Sequence, residues 1–445
     1  MDINTPGIAA GRLEATDYAR NFADAHPPLT PHQALIEAER CYYCFDAPCT
    51  TACPTGIDIP SFIQRIAQDN LRGAAEAILS ANPLGGMCAR VCPTETLCEQ
   101  ACVRCANEDK PVEIGLLQRF ATDAFFARPS AKPLFTRAAA SGRRVAVVGA
   151  GPAGLAAAHG LARRGHEVVL FDAHDKLGGL NEYGLASYKT TGGFAQREIK
   201  WLLSIGGITP RCGQRLGRDF TLAELVADYD AVFLGLGLAG VNALGIAELA
   251  LDGVRDAVDF IAELRQAASP AEVPVGRSVV VIGGGMTAVD AAVQCKKLGA
   301  REVTMVYRRG PDKLSASSYE QDWARRNGVQ LRCWAAPQAL LSDQGQLSGV
   351  RFAVTAEQDG KLIETGESFE IAADLVLKAI GQSFAAEGVG LALQGGRIAT
   401  DADGRSSHPK VWAGGDCRHG GRDLTVEAVE HGKRAALSID AFLKG

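Results

Sequence analysis

The chain has 445 residues, long enough for two or three domains each with its own core. Its formal charge of -5 is spread without long runs of one sign, which leaves no electrostatic footprint for nucleic acid or anionic lipid. No charged leader runs into an apolar stretch at the start, and no run of about 18 apolar residues occurs anywhere, so neither an export signal nor a membrane span is predicted and the expected location is cytoplasmic.

Nine of the thirteen cysteines fall between Cys41 and Cys105, eight of them in the runs CYYCFDAPCTTACP and CARVCPTETLCEQAC. In a reducing compartment, thiols this close together point to metal ligation rather than disulfides. Zinc sites pair CxxC with a second CxxC or with HxxxH, and the eight histidines show no such spacing. Cys41, Cys44, Cys49 and Cys53 instead form CxxCxxxxCxxxCP. Three of these thiols can wrap one face of a cubane while the fourth, before Pro54, points to another cluster, as in ferredoxin-type runs. Cys92, Cys98 and Cys102 add CPxxxxCxxxC, so the runs supply seven thiols, one short of two four-ligand clusters. Two [4Fe-4S] clusters are the leading expectation, with zinc or purely structural thiols as alternatives. Cys88 and Cys105 have no assigned partner. Cys212, Cys295, Cys333 and Cys417 are scattered and are predicted to pack as small apolar residues.

Residues 144 to 155 read RVAVVGAGPAGL, a β-branched strand entering a glycine turn and a helix, and EVVLFD follows as a second strand. The candidates here are Gly149 for the tight turn, Ala150, Gly151 for close approach to a pyrophosphate, Ala153, and Gly154 for helix-strand packing, with Asp172 at ribose distance. The pattern repeats at residues 278 to 290 as SVVVIGGGMTAVD, with Gly283, Gly284 and Gly285 and with Ala288 in the third small-residue place. Two such folds imply two dinucleotides. The second ends its next strand in Arg308 and Arg309 with no acid in evidence beside them, which leans to NADPH over NADH. Near the end, VWAGGD followed by a helical LTVEAVEHGKRAA resembles the flavoprotein GD segment. Gly415, Asp416 and Thr425 are therefore candidates at a flavin, and the first fold is the FAD fold. Strands around residues 233 and 377 resemble the crossovers that leave and re-enter an FAD domain around an inserted one.

The expected architecture is α/β, with two Rossmann-like dinucleotide-binding domains, one inserted in the other, preceded by an α-helical iron–sulfur domain. The expected boundaries are 1–138 for two [4Fe-4S] clusters, 139–269 and 375–445 for a split FAD domain, and 270–374 for an NAD(P)H domain.

Over nearly the whole chain, these motifs resemble the dihydropyrimidine dehydrogenase family. The resemblance runs through CPTGIDIPSFI, NPLGGMCARVCPTETLCEQAC and PVEIGLLQRFATD, and is strongest to the separate flavoprotein subunit that bacteria use. Glutamate synthase small subunits share the first cysteine run and both folds, but place three residues where five separate Cys92 from Cys98 here. The resemblance implies an eighth ligand, Gln118. It implies one cluster on Cys41, Cys44, Cys49 and Cys102, and the other on Cys53, Cys92, Cys98 and Gln118. It implies FAD near Val91, Leu180 and Lys189, and the nicotinamide cofactor near Thr287 and Arg308, although bacterial members are often NADH-dependent.

A nicotinamide gives a hydride, clusters take single electrons and a flavin does both, so the expected path is NAD(P)H to FAD to the clusters and out. The chain lacks a (β/α)₈ pattern of about 250 residues for a pyrimidine site. An FMN-containing catalytic subunit, joined in a hetero-oligomer, is the expected partner that reduces uracil or thymine. A glutamate synthase small subunit, another NAD(P)H:acceptor flavoprotein, or a zinc-stapled interaction protein are the alternatives.

Overall fold

The computed structural model describes residues 4–128, 132–247, 251–385 and 388–445. They fall into two compact units, one of His26–Glu182, Gly192–Ala239 and Phe384–Gly445, the other of Met1–Ala25, Tyr183–Thr191 and Gly240–Ser383.

The first unit begins with short helices. Thr30 and Gln33 form a capping box on Pro31–Glu39, while Asp58 and Asn70 accept from backbone N–H groups at the starts of Ile59–Ala67 and Leu71–Ala81. Ile59, Phe62, Ile63 and Ile66 recur at helical spacing and are buried with Ile78 and with Leu117 of the helix Ile114–Ala127. A five-stranded parallel sheet follows, in the order Val411–Ala413, Ala231–Leu234, Arg144–Val148, Glu167–Phe171, Ile208–Arg211. Its central strands are valine-rich and buried on both faces, as helix-covered parallel strands must be. The helices Pro152–Arg163 and Thr425–Lys444 approach so closely that a Cβ on Gly432 would collide with the Ala153 carbonyl.

The second unit holds another parallel sheet, in the order Gln330–Arg332, Glu302–Val306, Ser278–Ile282, Leu375–Lys378, Val254–Asp256. The helices Ala257–Gln266, Met286–Lys297 and Ser318–Arg326 belong to it, as does an antiparallel sheet of Ala335–Asp343, Gln346–Gln358 and Lys361–Ala372.

The units do not divide at 269 and 374. Leu375–Lys378 pairs with both Ser278–Ile282 and Val254–Asp256, so these strands and the helix Ala257–Gln266 go with the second sheet, which the chain leaves only after Ser383. The strand expected as a crossover back into the first fold is thus a central strand of the second. Its apolar run signals burial, and a run of that kind carries no information about which sheet buries it.

Residues 4–25 also belong to the second unit rather than to the helical region. Ile8–Ala9 pairs with Val275–Gly276, the buried Arg12 donates to the Val275 carbonyl at 3.0 Å, and the Tyr18 hydroxyl donates to the Leu298 carbonyl at 3.4 Å. Among the described residues, no helix is long and apolar enough to cross a membrane.

Candidate functional site

Both cysteine runs lie on one helical core of the first unit, with Cys41, Cys49, Cys53, Cys98 and Cys102 packed against the cluster that contains Phe62, Ile63 and Leu117. Their mutual electrostatics sort them. Burial, with the Cys44 and Cys102 thiols adding to it, pushes Cys41 up, and burial with Cys102 and Cys41 pushes Cys49 up to about 11. A hydrogen bond with Cys88, burial, and the Cys98 and Cys53 thiols raise Cys92 well above the usual thiol range. Burial, Glu99, Cys53 and Cys49 do the same for Cys98.

Cys41 thus interacts with Cys44, Cys49 and Cys102, and Cys53 with Cys92 and Cys98, while Cys49 also interacts with Cys98. Buried thiols that disfavour one another's ionisation suit a strongly cationic iron core, which would draw off their protons. Among the described residues, no three His, Cys, Asp or Glu side chains converge as one metal ion would require. A cubane instead takes its thiolates on separate irons.

Gln118 lies on Ile114–Ala127, 7% exposed, and its Nε2 donates to the Gly85 carbonyl at 2.7 Å. A backbone carbonyl only accepts, so the amide nitrogen must face Gly85 and the amide oxygen is the atom left to bind a metal. Gly85 opens the helix Gly85–Val91, which ends at Val91 and hands the chain to Cys92.

The first glycine loop is built for close approach. Gly149 has φ +94°, and a Cβ there would collide with the Gly235 carbonyl; a Cβ on Gly154 would collide with the Gly149 carbonyl. Gly151 is less crowded, the Gly179 Cα lying at van der Waals distance, 3.9 Å, from a notional Cβ. No side chain caps Pro152–Arg163, so its first N–H groups can receive a phosphate. The Asp172 carboxylate, 6% exposed, accepts from Ala150 N at 2.7 Å and from His174 N at 2.8 Å. It ties the strand end to the loop and keeps lone pairs for a ribose.

Three further segments meet this loop. A Cβ on Gly179, just before the exposed Leu180, would lie 2.7 Å from the Gly151 Cα. A Cβ on Gly415 would lie 3.1 Å from the Ala153 Cβ, and Gly415 N donates to His431 Nδ1 at 3.3 Å. Burial, reinforced by Asp423, raises Asp416 to about 6. Thr425 opens the C-terminal helix and donates to Asn181 Oδ1 at 3.1 Å, while Cys88 and Cys92, on either side of Val91, pack with Val426. Leu180, Gly415, Asp416 and Thr425 thus lie on segments that meet around the loop at the C-terminal ends of the parallel strands, where open α/β sheets bind ligands, while Val91 precedes Cys92 on the helix that packs against Val426.

In the second unit, Gly283 makes the turn, and a Cβ there would collide with the Ala379 carbonyl. Gly284 lies against Tyr307 and Leu314, and Gly285 leads into Met286–Lys297 with Thr287 half-buried in its first turn. Arg308 and Arg309 are exposed. Their carbonyls accept from Thr355 Oγ1 at 2.7 Å and Trp334 N at 3.1 Å, which holds the loop and leaves the guanidinium groups toward solvent. Here the structure adds what the sequence lacked: a cleft of about 580 Å³ at this loop is lined by Thr355, Trp334 and Lys313, but also by the acids Asp312 and Glu357.

Lys189 belongs to the second unit, where its ammonium lies 2.8 Å from Asp290 Oδ1 and 2.8 Å from Glu320 Oε1. Burial opposes its charge, but Asp290 and then Glu320 outweigh burial and raise its pKa. Cys212, expected to be packed, is exposed; Cys333 is half-buried, and Cys295 and Cys417 are buried. Sequence reading also passed over Glu198, a fully buried acid on Phe194–Leu203 that accepts from Gly86 N at 2.8 Å. The signal was there: Glu198 falls in phase with the apolar Phe194 and Leu202.

Two glycine loops on parallel sheets, one facing a GD segment, define a flavin- and nicotinamide-linked oxidoreductase. Residues 143–432 match the pyridine nucleotide-disulphide oxidoreductase family, and residues 18–129 match the family described as dihydropyrimidine dehydrogenase domain II, 4Fe-4S cluster. The chain is 36% identical to an Escherichia coli O157:H7 protein named NAD-dependent dihydropyrimidine dehydrogenase subunit PreT, across 96% of this chain and 98% of that one. It is 33% identical to the glutamate synthase [NADPH] small chain of E. coli K12, across 95% and 94%. Among solved structures, Mycobacterium tuberculosis FprA in complex with NADPH matches 68% of this chain and 85% of its own, with TM-score 0.57 and 18% identity. The T. acidophilum thioredoxin reductase matches 68% and 100%, with TM-score 0.55 and 22% identity; both likenesses concern the fold.

The chain belongs to the PreT family of dihydropyrimidine dehydrogenase subunits, related to glutamate synthase small chains, and is an NAD(P)H-dependent flavoprotein oxidoreductase with an N-terminal 4Fe-4S domain.

Proposed function

We propose that this chain is the electron-input subunit of a dihydropyrimidine dehydrogenase, oxidising NAD(P)H and delivering electrons to a separate FMN-containing subunit that reduces uracil or thymine. FAD would occupy the unit of Gly149, the nicotinamide cofactor the unit of Gly283, and two [4Fe-4S] clusters the helical region of residues 26–128. When bound, the flavin supplies the exchange between a two-electron hydride donor and one-electron carriers. The chain's own residues orient and tune. Gly149, Gly151 and Gly154 let backbone approach a pyrophosphate, Asp172 and Asp416 accept from ribose and ribityl hydroxyls, and the burial of the thiols sets the surroundings of the clusters.

The observation that carries this reading is the arrangement around the second cysteine run. Cys92 and Cys98 stand with Cys53, and Gln118 is bonded to the helix that runs into Cys92. Cys53, Cys92, Cys98 and Gln118 would then hold one cluster, and Cys41, Cys44, Cys49 and Cys102 the other.

Iron counted per flavin tests the assignment. Gln118→Ala should lose or labilise one cluster with FAD retained, and a full complement of about eight irons with unchanged spectra would remove Gln118 from the site. The reaction is tested by anaerobic co-purification followed by uracil-dependent NAD(P)H oxidation. The likeness to a glutamate synthase small chain favours a second reading, and the co-purifying catalytic subunit separates the two.

A further inference from the structure

The peptide group joining Gly85 to Gly86 is bonded at both ends to side chains from distant helices. Its carbonyl accepts from Gln118 Nε2 at 2.7 Å, and its N–H donates to Glu198 Oε1 at 2.8 Å. Met87 N adds bonds of 3.3 Å to both carboxyl oxygens of Glu198. The peptide is tightly enclosed. A Cβ on Gly85 would lie 2.5 Å from Ile78 Cγ2, and one on Gly86 would lie 2.5 Å from Phe194 Cζ and 2.8 Å from Glu198 Oε1. Glu198 and Gln118 are both buried.

A peptide is a resonant unit. A carboxylate that accepts from its N–H shifts electron density onto its carbonyl, which then holds Gln118 Nε2–H more strongly and enriches the far oxygen of that amide. We propose that Glu198 is a positioning residue for the iron–sulfur site: through the Gly85–Gly86 peptide it orients and polarises the Gln118 amide so that its oxygen binds iron. This rests on the reading of Gln118 as a ligand, and it follows the general rule that groups behind a ligand fix its orientation and basicity.

The charged groups facing Glu198 are Arg90 and Asp123. Arg90 is itself paired with Asp123 and lies 3.5 Å above the Phe194 ring. Burial raises Glu198 to about 8, against the Gly86 N–H, Arg90 and the Met87 N–H. The relay is therefore strongest once Glu198 ionises.

The test uses anaerobically purified holoenzyme as wild type, Gln118→Ala and Glu198→Gln, reading iron release to a chelator and the midpoint potential of each cluster. At about pH 9, where Glu198 is ionised, Glu198→Gln should release iron about tenfold faster from the cluster that Gln118→Ala disturbs. It should raise that cluster's potential by roughly 60 mV, a tenfold change for one electron, and leave the other cluster unmoved. If Gln118→Ala keeps all its iron with unchanged spectra, the ligand reading fails and the relay falls with it. If Gln118→Ala disturbs one cluster while Glu198→Gln matches wild type in both readouts, the ligand reading stands and the relay is overturned. Should Glu198→Gln fail to accumulate, wild type decides over about pH 6 to 9. A potential that falls with rising pH at the Gln118 cluster alone supports the relay, and a flat one overturns it.

Discussion

The two dinucleotide folds share a strand, a glycine turn and a helix, and they differ in what stands around those parts. In the first, the acid after the second strand, Asp172, is buried and bonded to the loop itself. In the second, the corresponding strand leads to the exposed Arg308 and Arg309 beside a cleft of mixed charge. The helices differ too. Pro152–Arg163 buries alanines and His159, which burial and Arg163 drive down to about 3, so it carries no charge that needs a partner. Met286–Lys297 buries Asp290, which Lys189 and Glu320 join in a network. One motif thus serves two settings, and the identity of the bound group follows from the neighbours rather than from the glycines.

The largest test of that contrast is Lys189→Met. It leaves two buried carboxylates without their cation and should cost about 3 to 5 kcal/mol in denaturant unfolding of the second unit, with FAD content unchanged. Loss of flavin with normal stability would instead return Lys189 to the flavin. Next, the third small residue is Gly154 in the first fold and Ala288 in the second. Gly154→Ala drives a Cβ into a backbone carbonyl and should cost about 3 kcal/mol together with flavin loss, whereas Ala288→Gly should cost only about 1 kcal/mol. Equal costs, measured by thermal unfolding, would mean the two turns are not packed differently.

For the strand ends, NADPH should reduce the flavin with a higher kcat/KM than NADH, and Arg308→Ala with Arg309→Ala should remove about 2 to 3 kcal/mol of that discrimination. A wild-type preference for NADH would show that Asp312 and Glu357 govern the cleft. The smallest effect concerns the first fold's acids. Asp172→Ala or Asp416→Ala should weaken FAD retention by about 1 to 3 kcal/mol with iron unchanged, measured as flavin left after dialysis. Full retention in both would detach the first fold from flavin.

Much of the local structure was legible. The glycine turns, the strand-helix-strand units, the long C-terminal helix and the two cysteine runs each depend on residues within a few positions of one another, so periodicity and spacing reveal them. Gln118 was visible only through the family resemblance, because an amide is a poor iron ligand by chemistry alone.

The sequence by itself determined the two nucleotide folds, the two cysteine runs and the flavin-type GD segment. Tertiary structure alone decided that Leu375–Lys378 joins the second sheet, that residues 4–25 belong to that unit, that Lys189 pairs with Asp290 and Glu320, and that Glu198 meets the Gly85–Gly86 peptide. The reason is physical. An apolar run or a lone charge states that it must be buried or compensated, and the choice of partner is made by elements far along the chain that the fold brings within hydrogen-bonding range.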